Sequence, residues 1–360
     1  MPEDNISRRE VTKWGTTLGA ISLAGCTETI TGSSGGSGGG GEQYQMVIAG
    51  TSSGSSTQQA AQALARAASQ HSDNLSITVQ VTDGWTANLY EYNDDNFHTI
   101  GVDNNSLSKA MNNEGPFAED PVDSLPMQGF VFTNLEIHWV AMEGSGIKST
   151  ADLKEGGYTI YPIQPGFGTR LLTEEVIKKA GLWDQNEILN VDTSDIPGAV
   201  EEGRVDALCI YGANGVNLSS WVQEVDVRSN GSLYLMQIDD NFRQAIETVP
   251  GAILKEFDNY PYKWEQDVTR VTDTTAAWVL AGQWAFGPEV PVDAAKEVAR
   301  LSAEHHESIR EADPTALDHS GVKSMTTAIL PELEIHPGVA KYWKENDVWN
   351  DEWQEGATDE

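Results

Sequence analysis

The sequence predicts an α/β protein built as two lobes. Three observations carry that expectation. Short apolar runs alternate with helix-periodic segments from residue 44 onward. The same alternation restarts after residue 142. Two long, β-rich apolar stretches, 130–142 and 269–281, join the two series. Strands alternating with helices imply βαβ units and a mostly parallel sheet. Two joining strands imply a hinge, and a cleft between lobes is a natural ligand site.

The elements follow in order. Residues 44–50 predict a first strand. Residues 56–69 predict a helix, because Ala60, Leu64, Ala67 and Ala68 recur at helical spacing. Residues 77–81 alternate as a second strand, and Gly84-Trp85-Thr86-Ala87-Asn88 opens a short helix. His98 to Val102 is a third strand, followed by the polar segment Asp103-Asn104-Asn105-Ser106. In the second series, Ser149 to Lys154 forms a capped helical turn. Tyr158 to Tyr161 is a strand, and Gln164 to Arg170 turns into a helix reaching about Ala180. Ala199 to Ala207 holds a helix end, a glycine cap and the next strand, which Gly212-Ala213-Asn214 closes. Asp293 to Arg310 predicts an amphipathic helix, and His336-Pro337-Gly338 ends a loop. Polar loops repeatedly follow strand ends, the position at which open α/β sheets bind ligands.

Ahead of this body lie two segments of another kind. Arg8-Arg9 precede a short apolar run, Trp14 to Ala24, and then Leu23-Ala24-Gly25-Cys26. Twin arginines mark export of an already folded protein. The run is too short to span a bilayer, which takes ~20 apolar residues. Small residues before a cysteine resemble a lipoprotein cleavage signal, so Cys26 is the expected lipidation site. Residues 32–41 are glycine and serine only, a flexible leash. The expected divisions are 1–26 signal, 27–43 tether, 44–137 plus 275–349 first lobe, 138–274 second lobe, and 350–360 acidic tail.

Composition excludes several function classes. The 55 acidic residues outnumber the 22 lysines and arginines, for a formal net charge of −33. The acids are dispersed, which describes a folded acidic surface rather than a disordered tail. Such charge resembles that of proteins from extreme halophiles, where salt screens self-repulsion. With no basic stripe, nucleic acid is excluded as a partner. Of the two cysteines, Cys209 sits in a strand-like apolar run and is expected in the core. His305 and His306 are adjacent, so they lack metal-pair spacing. No phosphate-loop, nucleophile-elbow or zinc-protease motif occurs. No metal or cofactor is expected, and the chain is not expected to be an enzyme. An exported, lipid-anchored hydrolase is a lesser alternative.

Five motifs in order resemble the solute-binding subunits of TRAP transporters, specifically the TAXI family. They are Ile48 to Ser55, Asp83 to Asn88, Gly146 to Lys154 with Pro165 to Arg170, Glu202 to Ala207, and His336 to Trp343. The resemblance spans roughly residues 46–345. Two departures stand out: the first loop is serine-rich, and Val102 to Ser106 replaces the family's usual Gln-Ser-Asp.

The resemblance implies a periplasmic-binding-protein-like fold of type II, two α/β lobes joined by a two-strand hinge with the ligand cleft between them. It implies capture of a small organic anion, a glutamate-like amino acid or a dicarboxylate, and delivery to TRAP membrane permease subunits. The expected location is the extracellular face of the cytoplasmic membrane, with the lipid at Cys26 as anchor. A binding protein of an ABC importer or sensor is the alternative. The expected ligand contacts are Thr51, Ser52, Ser53, Ser55, Trp85, Asn88, Asn105, Gly168, Thr169, Arg170 and Asn214. Hydroxyls and helix N-termini offer donors to an anion, and Arg170 can fork a carboxylate. Some have a plainer reading: an N-cap in a solvated turn for Thr51 to Ser56, core packing for Trp85, and pairing with Glu174 or Glu175 for Arg170. Asp103 is expected to be a structural cap, since it would repel an anion.

Overall fold

Two long strands organise the fold, and both are buried along nearly their whole length. The computed structural model describes residues 43–51 and 55–359. The first series runs β1 (Tyr44–Ala49), α1 (Ser56–His71), β2 (Leu75–Gln80), α2 (Trp85–Asn93), β3 (Thr99–Asp103) and α3 (Asn104–Asn112). The first long strand, β4 (Met127–Met142), follows. The second series runs β5 (Thr159–Tyr161), α4 (Gly168–Lys179), β6 (Glu187–Ile188), α5 (Ile196–Glu201), β7 (Ala207–Ala213), β8 (Asn217–Leu218), α6 (Ser220–Arg228), β9 (Leu233–Leu235), α7 (Asp240–Thr248) and β10 (Ala252–Phe257). The second long strand, β11 (Thr275–Phe286), returns, and α8 (Val292–Glu304), α9 (His306–Ala312) and α10 (Pro337–Glu345) complete the described chain.

The strands form one curled sheet in the order β2-β1-β3-β11-β4-β7-β5-β6. Pairing is parallel among β2, β1 and β3, and again among β6, β5 and β7. The long strands run antiparallel to their neighbours and serve both groups. In β11, residues 282–286 pair with β3, whereas residues 275–280 pair with β10. In β4, residues 135–141 pair with β7. The β4–β11 register shifts at Gly282, Gln283 and Ala285. Such irregularities bend and twist a strand, so each long strand can serve two strand groups of different direction. This is the α/β class with two strand sets that the sequence predicts.

All twelve residues of β11 are buried, which explains an apolar run without alternation. On β4, Ile137 and Trp139 enter the largest core cluster while Val140 enters the second. Phe132 stacks on Trp284 at 4.0 Å between centroids. Trp139, Trp278 and Phe242 pack together under the second series. Cys209 is fully buried, and burial pushes its thiol well up.

Several expectations shift. The segment after β3 is a helix, not a loop, because the Asp103 side chain caps it by accepting from the Ser106 amide at 2.8 Å. The helix expected over 293–310 breaks at His305, whose ring stacks on His71 at 4.0 Å. His336 caps a helix instead of ending a loop, its ring accepting from the Gly338 amide. The second β-rich stretch is displaced: β11 starts at Thr275 and continues to Phe286. Residues 350–359 are tied to the body through Ile335, which donates to Gln354 O and accepts from the Gly356 amide. The signal, Cys26 and most of the tether lie outside the described residues. Among the described residues, no helix is long and apolar enough to cross a membrane.

Candidate functional site

The carboxyl end of β3 and the amino end of α4 meet at a buried seam between the two strand series. Phe167, the N-cap of α4, supplies no side-chain cap, so the first-turn amides of α4 keep the positive end of the helix dipole unoccupied by a side chain. Gly168 allows the close approach: a Cβ there would stand 2.9 Å from Asp103 Oδ2 and 3.5 Å from the Trp85 ring. Thr169 is 4% exposed, and its hydroxyl has no partner. Trp85 is buried, and its indole N–H donates to Thr57 Oγ1 at 2.9 Å. Gly282 of β11 leaves room for the same indole, since a Cβ there would come within 2.8 Å of it.

Further contacts of α3 flank this point. Asn105 donates to Pro250 O at 3.0 Å, while its Oδ1 is buried without a partner. Gly251, at φ 78°, lies so near that a Cβ would stand 2.7 Å from Asn105 Cα. Lys109 Nζ and Glu175 Oε2 form a 2.5 Å ion pair between α3 and α4, with Lys109 largely buried.

The expected contacts divide. Trp85, Asn105, Gly168 and Thr169 gather at the seam. Thr51 is buried near the start of α1 with its hydroxyl 2.5 Å from Ser55 Oγ, and Ser55 caps α1 by accepting from the Gln58 amide. Ser52 and Ser53 lie outside the described residues.

Three residues are engaged elsewhere. Asn88 is fully buried and donates to the carbonyls of Gly50 at 2.6 Å and Gly101 at 2.7 Å, so it ties β1 to β3. Arg170 is also committed: it donates to Ile163 O at 2.9 Å, Asn190 Oδ1 at 3.0 Å and Glu174 at 3.2 Å, and it lies over the Trp183 ring. Three of its five N–H donors are therefore already taken by the protein, in line with its plainer reading as a partner of Glu174. Asn214, at φ 51°, accepts from the Asn134 amide and donates to Thr315 O, joining the end of β7 to β4 and the segment after α9. For Asn88 and Asn214 the backbone groups that absorb the amide lie far off in sequence, whereas Arg170 is held by Ile163 and Glu174 close by and by Asn190.

Sequence reasoning missed the weight of Asp103. It caps α3 as expected, with Oδ2 also accepting from Ser106 Oγ at 2.5 Å. It is also fully buried against α4, and burial lifts its carboxyl to about 6 despite those hydrogen bonds. Lys109, Glu175 and Gly251 carried no local signal.

None of the curated proteins matches the sequence. Among solved structures, the chain is similar to the periplasmic aliphatic sulphonate binding protein SsuA of Escherichia coli, with 14% identity, coverage of 84% of this chain and 79% of that one, and a TM-score of 0.42. It is similar to the alkanesulfonate-binding protein SsuA of Xanthomonas axonopodis pv. citri, with 16% identity, coverage of 87% and 97%, and a TM-score of 0.39. A TctC solute binding protein from Polaromonas shares 13% identity over 78% of this chain and 93% of that one, with a TM-score of 0.46. Residues 48–346 match the NMT1-like family, and with so much of its length matched the chain belongs to that family.

Proposed function

We propose that the protein is an extracytoplasmic solute-binding receptor that captures a small organic anion between its two strand series. The observation that carries this reading is the uncapped start of α4 with the buried, unpartnered Thr169 hydroxyl, set at a seam opposite Trp85 and Asn105. Amides and a hydroxyl at a helix N-terminus stabilise negative charge. Residues 44–137 with 275–349 act as one lobe and 138–274 as the other. The points at which β4 and β11 cross from one lobe to the other act as the hinge. Separation of the lobes admits the ligand, and closure excludes water and strengthens every polar contact made to it.

The five family-like motifs support delivery to a TRAP-type permease. The Arg8-Arg9 segment and Cys26 support twin-arginine export and a lipid anchor, which holds the receptor at high local concentration beside its permease.

Calorimetry in molar potassium chloride with glutamate, 2-oxoglutarate, C4-dicarboxylates and short fatty acids tests the capture. At least one of these anions binds, and Thr169→Val weakens it about tenfold, as expected for one hydrogen bond to a charged group. Binding of a sugar and of none of these anions would overturn the reading. Uptake driven by an ion gradient without ATP, in vesicles carrying the permease, checks the transporter class.

A further inference from the structure

The seam holds charge of both signs at one point. On the α4 side are the first-turn amides and the unpartnered Thr169 hydroxyl. On the α3 side are the Asp103 carboxylate, fully buried, and the unpartnered Asn105 Oδ1, on a side chain 1% exposed. The two sides touch, since Gly168 packs against Asp103 Oδ2.

Capping alone does not explain a carboxylate there. A serine or asparagine caps a helix as well without burying a charge. The α3 dipole offsets part of that charge, yet burial still lifts the carboxyl to about 6. No lysine or arginine pairs with Asp103 among the described residues; Lys109 turns to Glu175, and Arg170 is committed to Ile163, Asn190 and Glu174. Asp103 therefore stands without a cationic partner beside a set of donors, and Asn105 Oδ1 is a second unpartnered acceptor on the same helix. A ligand of purely negative charge satisfies the donors but brings its charge against Asp103. A ligand with both signs satisfies both sides.

We infer that Asp103 is the specificity-determining residue of the seam, selecting a small zwitterion with a protonated nitrogen beside its acid group over the same acid without the nitrogen. The inference rests on the solute-binding reading above. Closure over such a ligand gives Asp103 the counter-charge that the chain itself does not supply, while the acid group takes the α4 amides and Thr169.

Matched pairs that differ by one amine test it: glutamate against glutarate, aspartate against succinate, and alanine against propionate, each titrated calorimetrically into the full protein in molar potassium chloride. Amine-bearing members bind at least about tenfold more tightly, the scale of a charge-assisted hydrogen bond. Asp103→Asn keeps a capping oxygen, so the protein folds, and the preference within each pair disappears. Thr169→Val weakens binding of the amine-bearing members while keeping the preference. Equal binding within the pairs, or a preference that survives Asp103→Asn, overturns the role of Asp103 and leaves anion capture standing. If no member of any pair binds, the role of Asp103 falls, and titration of 2-oxoglutarate and the remaining anions named above decides anion capture separately.

Discussion

Asn88 shows how a polar residue placed at a strand-to-helix turn becomes structural. Its amide spans two backbone carbonyls of neighbouring strands, with no water-facing surface. Asn88→Ala removes both bonds and leaves a void, so it destabilises the fold by about 2 kcal/mol in denaturant titration. Asp103 acts in the opposite sense. Its carboxyl is raised to about 6 from an ordinary value of 3.8, so its favourable contribution is present at low pH and is lost as pH rises through about 6. Asp103→Asn keeps the cap and removes the buried charge. Thermal melts of the ligand-free protein therefore show the variant to be more stable than wild type at pH 8, on the order of 2–3 kcal/mol. The gap closes toward pH 4.

At the scale of elements, α4 is the sensitive piece. Alanine is the better helix former, so Gly168→Ala favours α4 by itself. Across the seam, its Cβ meets Asp103 and Trp85. The expected outcome is a ligand affinity at least about tenfold lower, a cost of ~1.4 kcal/mol or more, read by calorimetry. The alternation of strands and helices was legible because burial dictates it: β1 and β3 carry runs of apolar residues, and α1 carries alanines at helical spacing. The helix α3 was not legible, since Asn104, Asn105 and Ser106 are poor formers and only the Asp103 cap and tertiary burial hold them helical. The site was half legible. Gly168 and Thr169 lie at a helix start that the sequence marks, whereas the fate of Arg170 depended on Asn190 and the Ile163 carbonyl, folded back from elsewhere.

For the whole molecule, buried histidines set the acid limit. Burial holds His138, His319 and His336 at about 4. A group depressed in the folded state gives its full stability above its ordinary value of 6.5 and loses it as pH falls toward 4. Three such groups outweigh the opposing relief at Asp103, so the melting temperature falls steadily between pH 6.5 and 4 in differential scanning fluorimetry. Charge sets the salt limit. A net charge of −33 repels itself at low ionic strength, so the melting temperature rises markedly between 0.1 and 3 M potassium chloride, with most of the gain in the first molar.

The shared long strands also govern how the chain comes to be folded. β11 lies between β3 and β4 in the sheet, yet in the sequence it comes after every strand of both series. A growing chain that has passed residue 257 has all its other strands and still lacks the one that bridges β3 to β4 and pairs with β10. Contacts this distant in sequence are slow to form, because a long loop must close before they reward it. Neither strand series can finish alone, and both complete together once residues 275–286 arrive. Until then the edges of β3, β4 and β10 that pair with β11 stay open, and that interval is when the nascent protein is most open to aggregation and to proteases.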